Sequence, residues 1–222
     1  INLLMMKKLF YCVLTCLPFF LVGCKEKEPD APKYVDLGLS VKWATCNVGA
    51  KAPEELGKYY SWGETESKEF YDWTTYKWCE GEENTQIKYC TSIFYGDVDN
   101  KVVLELSDDA ANVKLGSKWR IPTTEEFEEL SNKCLWVWTS ENGVFGYKVI
   151  STINANSIFL PATGYIKGVK HNDLYSACYY WSNQVHKLTP FDAYALYVSD
   201  DDTSWSRTYR YYGVTIRPVY VE

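Results

Sequence analysis

Histidine is scarce in this sequence, and two motifs that carry common catalytic or metal chemistry are missing. The 222 residues include two histidines, His171 and His186, and no Cys-x-x-Cys pair, so few of the nitrogen and sulfur ligands that a zinc site uses are present. No serine stands in a Gly-x-Ser-x-Gly sequence, the strained turn that exposes the nucleophile of α/β-hydrolases. We therefore predict no catalytic residue, no metal and no cofactor, and interpret the protein as a non-enzyme.

Basic residues are outnumbered by acidic ones. From Cys24 onward the chain has 21 Lys and Arg against 29 Asp and Glu, a net charge of −8. An acidic domain is repelled by nucleic acid and by anionic lipid headgroups. Both are excluded as partners, and residues 24–222 are enough for one domain with a sizeable core.

Long apolar runs are limited to one, near the start of the chain. Leu9–Val22 follows the pair Lys7-Lys8; this run is short for a membrane span and is typical of a signal peptide. It ends in Leu21-Val22-Gly23-Cys24, which resembles the lipobox of bacterial lipoproteins. The resemblance implies cleavage before Cys24 and acylation of its thiol.

Three segments follow from this pattern. Residues 1–23 are predicted to be a lipoprotein signal peptide, with Met5 or Met6 expected as the start; residues 24–33 an acylated, charged tether; and residues 34–222 a single domain. A charged stretch just after the lipidated cysteine resembles the signal for surface display in Bacteroides-like bacteria. We therefore expect an outer-membrane lipoprotein that contacts the membrane through its lipid and faces outward.

Five cysteines remain after the signal peptide and Cys24 are set aside. They are Cys46, Cys79, Cys90, Cys134 and Cys178, an odd number that leaves at least one thiol free or paired between chains. Export permits disulfides. Cys79 and Cys90 flank a short polar segment, so they either close a small loop as a disulfide or stay reduced.

Capping signals and alternating patterns predict an α+β domain. Ser107-Asp108-Asp109 opens a first helix that Gly116 ends, and Thr123 with Glu126 forms a capping box for a second. Residues 66–100 show no period and are interpreted as a long surface excursion. After Leu135 the sequence indicates only strands and turns, with a hairpin turn predicted at Glu141-Asn142-Gly143. The predicted strands are at 136–139, 147–151, 157–161, 179–182, 193–199, 204–209 and 214–219.

Motifs spread over residues 34–222 resemble those of the Fibrobacter succinogenes major paralogous domain family of lipoproteins. They are Tyr34-Val35-Asp36-Leu37-Gly38-Leu39-Ser40-Val41-Lys42-Trp43-Ala44-Thr45-Cys46-Asn47-Val48-Gly49-Ala50, Tyr60-Ser61-Trp62-Gly63-Glu64, Trp119-Arg120-Ile121-Pro122-Thr123 with Glu125-Glu126-Phe127, Ile158-Phe159-Leu160-Pro161-Ala162, Tyr180-Trp181-Ser182 and Gly213-Val214-Thr215-Ile216-Arg217-Pro218-Val219.

The resemblance implies a C-type-lectin-like fold, with two helices on twisted antiparallel sheets and a mostly β carboxy-terminal half. It implies that Tyr34–Leu37 lies near Val214–Val219. Trp43, Trp62, Trp119 and Phe127 are then expected in the core, and Arg217 is expected to need a carboxylate, with Glu64 and Glu126 as candidates.

Two activities of related folds do not carry over to this sequence. Formylglycine-generating enzymes bind copper through paired late cysteines, and here only Cys178 lies late in the chain. Sugar-binding C-type lectins hold calcium with Glu-Pro-Asn or Gln-Pro-Asp and Trp-Asn-Asp, none of which occurs. The acidic run Asp200-Asp201-Asp202 could gather oxygens around Ca²⁺, but a charged turn between strands is the simpler interpretation.

Aromatic residues are abundant, with 19 Tyr, 9 Trp and 9 Phe, and they crowd the last third of the chain. Aromatic side chains interleaved with Asn, Ser and Arg are typical of recognition surfaces. We predict a binding module for an extracellular glycan or protein; the alternatives are a receptor-binding protein diversified by a retroelement and a structural or fimbria-associated subunit. The predicted ligand-binding residues are Tyr179, Trp181, Asn183, Tyr194, Asp200, Asp202, Trp205, Arg207, Tyr209 and Tyr211.

Overall fold

A computed structural model of the chain describes residues 33–199 and 202–222. These residues belong to one compact unit, Ala31–Glu222. The predicted signal peptide, Cys24, most of the tether and Asp200 lie outside the described residues. Within the described ranges, no helix combines the length and the apolar character needed to cross a bilayer.

Two helices occur where the capping signals predicted them. The first, α1 (Ala110–Leu115), begins after Asp109, whose carboxylate accepts the N–H groups of Ala111 and Asn112, and it ends at Gly116. The second, α2 (Thr124–Lys133), has the full reciprocal capping box between Thr123 and Glu126. A short 3-10 turn, Leu106–Asp108, precedes α1.

Twelve strands are described, and their pairing is antiparallel throughout. They are β1 (Tyr34–Val35), β2 (Lys42–Ala44), β3 (Trp119–Arg120), β4 (Cys134–Glu141), β5 (Val144–Ser151), β6 (Ser157–Pro161), β7 (Tyr165–Lys167), β8 (Lys170–Asn172), β9 (Cys178–Val185), β10 (Asp192–Ser199), β11 (Asp202–Tyr209) and β12 (Val219–Tyr220). The sheet orders are β1-β2-β12-β3, β11-β10-β9, β4-β5-β6 and β7-β8. The domain is thus mixed, with few helices and several antiparallel sheets.

The two ends of the domain meet in the four-stranded sheet. β2 lies between β1 and β12, and the ring of Tyr34 stacks on that of Tyr220 with centroids 4.6 Å apart. The prediction of one continuous strand from Val214 to Val219 was wrong, because this segment bonds to different partners in turn. Val214 bridges Tyr60 and Thr215 bridges Tyr180 before Val219 joins the sheet.

The β4–β5 hairpin confirms the turn signal in the sequence. Asn142 and Gly143 both have positive φ, 47° and 84°, which is the conformation that a two-residue type I′ turn requires. The pairing continues without a break from Glu141↔Val144 to Cys134↔Ser151.

The predicted core aromatics are buried, and two of the family-like motifs hold each other. Trp43, Trp62, Trp119 and Phe127 are at most 4 % exposed. Trp62 Nε1 donates to the carbonyl of Ser182 at 2.9 Å, while Trp181 Nε1 donates to the carbonyl of Tyr60 at 2.7 Å. Each indole thus bonds to the backbone of the other segment.

Arg217 is fully buried, but the predicted carboxylate partner was wrong. Its guanidinium donates to Asn47 Oδ1 at 2.9 Å, to the Ala44 carbonyl at 3.0 Å and to the Phe159 carbonyl at 2.8 Å. The two candidate acids are engaged elsewhere, Glu64 with Lys68 and Glu126 with Arg120. Three neutral oxygens from two segments, 44–47 and β6, therefore satisfy this cation, and the arginine ties those segments to its own.

The Cys79–Cys90 disulfide is not formed. Both thiols are free, and they bond to separate carbonyls: Cys79 Sγ lies 3.2 Å from the Trp73 oxygen and Cys90 Sγ lies 3.2 Å from the Ser92 oxygen. Burial also raises the pKa of the Cys79 thiol, which lowers its reactivity as a thiolate.

Candidate ligand-binding cleft

A row of half-buried tyrosines crosses one side of the domain. The ring of Tyr165, on β7, stacks almost parallel on Tyr212, with centroids 5.0 Å apart and planes 7° apart. Tyr165 also meets Tyr179 at 5.1 Å, and Tyr179 meets Tyr197 at 5.0 Å. The row continues from Tyr212 to Tyr209 at 5.6 Å. Strands β7, β9, β10 and the segment after β11 therefore contribute rings to one surface.

A second set of aromatics supports this row from the long excursion at 66–100. Trp73 lies edge-on to Tyr211, with centroids 4.7 Å apart, and to Tyr209 at 5.8 Å. Tyr95 contacts Phe191 at 4.9 Å, and Phe191 contacts Tyr209 at 6.0 Å. The excursion was predicted only as irregular surface, yet its rings buttress the site.

The rings border an open cleft of about 330 Å³. Its volume falls in the usual range for small-ligand sites. Its walls combine aromatic faces with hydroxyl, carboxylate and guanidinium groups, contributed by Tyr165, Tyr179, Phe191, Asp192, Ser206, Arg207, Thr208, Tyr209 and Tyr212.

Asp192 is the cleft's buried acid. It is 8 % exposed, and the Thr189 hydroxyl donates to its Oδ2 at 3.0 Å. Burial raises the pKa of Asp192, while the Thr189 bond and nearby Arg207 lower it. The carboxylate is therefore fixed in position and available as a hydrogen-bond acceptor.

The His186 backbone N–H donates to the Asp192 carbonyl at 2.9 Å, but no direct bond joins its imidazole to the Asp192 carboxylate within the described residues. The Thr189 hydroxyl lies 2.6 Å from His186 Nδ1, so it stands between the imidazole and Asp192. Burial, and then Arg207, lowers the pKa of His186, which favours the neutral ring at pH 7. In a catalytic triad the imidazole lies between the acid and the hydroxyl. Here the hydroxyl lies between the other two groups, so these contacts stabilise the loop that joins His186 to Asp192.

Arg207 supplies the cleft with a cation that is free to bind. Its side chain is exposed, and it has no hydrogen bond or ion pair to any of the described residues.

The neighbouring Arg210 is the opposite case, since it is 0 % exposed. Arg210 donates to the Tyr76 hydroxyl at 2.7 Å and to the Pro190 carbonyl at 2.8 Å, and its guanidinium lies 5.1 Å from the Trp62 ring.

Arg210 therefore anchors the backbone next to Tyr209, one of the residues that line the cleft. It follows Tyr209 in the chain and precedes Tyr211, and it bonds the excursion at Tyr76 to the loop at Pro190. Two arginines stand three residues apart in this aromatic stretch, and only Arg207 was among the predicted ligand contacts. Because one points outward and the other into an aromatic cage, only Arg207 is placed for a ligand.

The predicted binding residues separate into groups. Three of them, Tyr179, Arg207 and Tyr209, line the cleft. Three more are buried and do not line the cleft: Trp181 is 0 %, Tyr211 5 % and Asn183 8 % exposed.

Tyr194 and Trp205 also lie apart from the cleft. Trp205 contacts Phe127 of α2 and borders a separate hollow of about 150 Å³, and Tyr194 packs on Trp205 at 6.2 Å. Asp202 begins β11, and Asp200 lies outside the described residues.

Several cleft residues escaped sequence reasoning. Tyr165, Phe191, Asp192, Ser206, Thr208 and Tyr212 line the cleft, and none was among the predicted contacts. Tyr212 gave no local signal that separates it from Tyr211, because the two residues lie in a turn and a bend rather than in a strand. Tyr165 gave no signal either, because the short β7–β8 hairpin that presents it was not predicted.

The described residues include no cluster of His, Cys, Asp or Glu that could hold a metal ion. Comparisons of the chain with protein-family models, with curated proteins and with solved structures found no match. The case for function accordingly depends on the geometry of the cleft.

Proposed function

We propose that this domain is a non-catalytic binding module and that its ligand is an extracellular glycan held in the tyrosine cleft. The observation that carries the proposal is the combination of half-buried tyrosine rings with polar side chains along one open cleft. Tyr165 and Tyr212 offer flat faces on which a sugar ring can stack, and Asp192, Arg207 and Ser206 offer acceptors and donors to sugar hydroxyls. Such rigid aromatic contacts bind at low entropic cost.

The proposed setting is the outer surface of a lipoprotein-bearing bacterium, with Cys24 acylated and residues 24–33 as the tether. The lipobox-like residues at 21–24 and the charged stretch after them support it. Labelling of cells with a clickable fatty acid should tag the protein, and Cys24→Ser should abolish the tag. Persistent labelling of the variant would place the anchor elsewhere.

We further propose that the domain is C-type-lectin-like and related to the Fibrobacter succinogenes major paralogous domain family. Two features support this: the terminal strands β1 and β12 share one sheet, and both helices precede the long strands. The buried contacts between Trp62 and Ser182 and between Trp181 and Tyr60 join two of the family-like motifs. An experimental structure whose topology departs from that fold would remove this part of the proposal.

A glycan array probed with residues 25–222, whose folded unit is Ala31–Glu222, tests the binding function. For a glycan that binds, the double variant Tyr165→Ala/Tyr212→Ala should weaken the affinity at least about tenfold, as loss of central contacts does. The control is Tyr34→Ala, since Tyr34 is 44 % exposed and lies on the four-stranded sheet.

Equal affinities for the two variants and the parent would remove the cleft as the site. Binding to proteins alone on a parallel protein array would replace the glycan with a protein ligand at the same surface.

A further inference from the structure

Strand β4 presents a long unprotected edge. Among the described residues it pairs with β5 on one side only, in the order β4-β5-β6. All eight of its residues pair with β5 in unbroken register, so no bulge twists the free edge away. Natural edge strands usually carry a lysine, a proline, an inward charge or a bulge that blocks further pairing. Between Cys134 and Ser140 there is no charged residue and no proline.

Two other eight-residue strands, β9 and β11, lie at sheet edges, and both are protected. The outer side of β9 is bonded to other segments, since the Trp181 N–H donates to the Thr215 carbonyl and the Val185 N–H donates to the Val102 carbonyl. β11 carries the exposed Arg207, and a charged side chain within an edge strand opposes the approach of a second strand. Among the described residues, β4 has neither kind of protection.

The unprotected edge also exposes apolar side chains. Leu135 is 59 % and Val137 47 % exposed, and they alternate with the more buried Trp136 and Trp138 along the strand. A strand added beside β4 would cover part of this apolar surface while using the free backbone groups. Both effects favour association.

The charges at the two ends of β4 indicate that the added strand is a second copy of β4. Lys133 precedes the strand, and Glu141 ends it. If two copies pair antiparallel with Val137 opposite Val137, then Glu141 of each copy comes near Lys133 of the other, the α2 residue that directly precedes the paired strand. Trp136 then lies opposite Trp138, a favourable cross-strand pair. Parallel pairing would instead place like charges side by side.

Both end residues are available for this contact. The Lys133 side chain is 52 % exposed, and its one ion pair is to Glu129 within α2. Glu141 has no ion pair with any residue in the described ranges. We propose that β4 pairs with β4 of a second copy about a two-fold axis at Val137, so that the two β4-β5-β6 sheets form one sheet of six strands. This inference does not depend on the glycan proposal.

A cysteine placed on the axis gives the sharpest test. The two Val137 Cα atoms would lie about 4.5–5.5 Å apart, within the range of a disulfide. The two Leu135 Cα atoms would lie about 14 Å apart, since four residues separate them along the paired strands. Oxidation of the full-length acylated protein in cell envelopes should cross-link Val137→Cys to its own copy at least tenfold more than Leu135→Cys or the parent.

Equal cross-linking of the two variants would contradict the proposed pairing register. A cross-link from Val137→Cys to a different protein would mean that the strand beside β4 does not come from a second copy of this chain. Absence of any Val137→Cys dimer, with the parent monomeric in light scattering, would overturn the self-association itself.

Charge exchange provides an independent test that leaves the strand's apolar residues in place. Glu141→Lys should weaken association about fivefold, the effect expected of two exposed ion pairs. The double variant Lys133→Glu/Glu141→Lys should recover most of the loss, because the opposite charges face each other again. A double variant that stays as weak as the single one would contradict the proposed pairing of the ends.

Discussion

The aromatic residues of this domain serve two different regions, and the contrast between them separates folding from binding. We call one region the frame: the buried residues whose polar groups bond within the protein. In the frame, Trp62 and Trp181 each donate a hydrogen bond to a carbonyl of the other segment. At the cleft, the faces of Tyr165 and Tyr212 stay half-buried and stack on each other. The frame has used its polar groups internally, while the cleft still offers them to a ligand.

The same contrast holds for the arginines. Arg217 is surrounded by carbonyl and amide oxygens and Arg210 by aromatic rings and carbonyls, whereas Arg207 is exposed at the cleft. A buried cation without a carboxylate partner is held only by the geometry of its acceptors. Substitutions in the frame should therefore cost stability, and substitutions in the cleft should cost affinity.

The largest effect should come from breaking the frame at Arg217. Arg217→Met removes the donors to Asn47, Ala44 and Phe159, leaving buried acceptors that each cost about 1–3 kcal/mol when unsatisfied. We expect the free energy of unfolding in urea to fall by about 3 kcal/mol or more, a large part of the stability of an ordinary domain. The matched control, Arg207→Met, should change it by less than about 0.5 kcal/mol. Similar losses in both variants would contradict the division between frame and cleft.

A second effect concerns pH and the buried cap of α1. Burial raises the pKa of Asp109 to about 6, although the N–H groups of Ile121, Asn112 and Ala111 oppose the rise. Between about pH 4 and 6 the folded state then holds more protons at this carboxyl than the unfolded state does. The contribution of Asp109 to stability therefore falls as pH rises through that window and is lost above it.

The size of this change should be roughly 3 kcal/mol, at about 1.4 kcal/mol per pKa unit. Urea unfolding at several pH values should show it as a difference in slope between the parent and Asp109→Asn, which cannot titrate. Parallel pH profiles for the two proteins would mean that Asp109 keeps an ordinary pKa. Comparing the slopes removes the constant loss that Asn causes by mismatching the Ile121 N–H.

How much of the fold could be predicted from the sequence depends on how far apart along the chain the interacting residues lie. The capping box at Thr123 and the Asn142-Gly143 turn were found because each is settled by residues a few positions apart. The partners of Arg217 were not found, since Asn47 and Phe159 lie 170 and 58 residues away. Only the packed structure brings those oxygens to the guanidinium.

The candidate site was harder to predict than the fold for a related reason. Tyr209, Tyr211 and Tyr212 are chemically identical, but Tyr211 is 5 % exposed because Trp73 packs on it from the aperiodic excursion. No local pattern records that contact. Composition therefore indicated a tyrosine-rich surface in the last third of the chain. It could not show which of those tyrosines face outward.

A third prediction tests the reciprocal indole bonds of the frame. Trp62→Phe removes the indole donor to the Ser182 carbonyl, and Trp181→Phe removes one of two donors to the Tyr60 carbonyl, which also accepts the Val214 N–H. Each loss should cost about 1–2 kcal/mol. Because the two bonds join the same pair of segments, a double-mutant cycle in urea should show coupling of about 0.5 kcal/mol or more. Strict additivity would mean that the two bonds act independently.

The smallest expected effect is the loss of one tyrosine hydroxyl, compared between the frame and the cleft. The buried Tyr59 hydroxyl donates to the Thr163 carbonyl at 2.6 Å, whereas the Tyr165 hydroxyl has no hydrogen-bond partner among residues 33–199 and 202–222. Tyr59→Phe should lower the free energy of unfolding by about 1 kcal/mol, and Tyr165→Phe should leave it unchanged within about 0.3 kcal/mol. For a ligand that bonds to the hydroxyl, Tyr165→Phe should still reduce affinity in calorimetric titration while Tyr59→Phe should not. A stability loss at Tyr165 equal to that at Tyr59 would show that this tyrosine belongs to the frame, because a residue kept free for a ligand has no internal bond to lose.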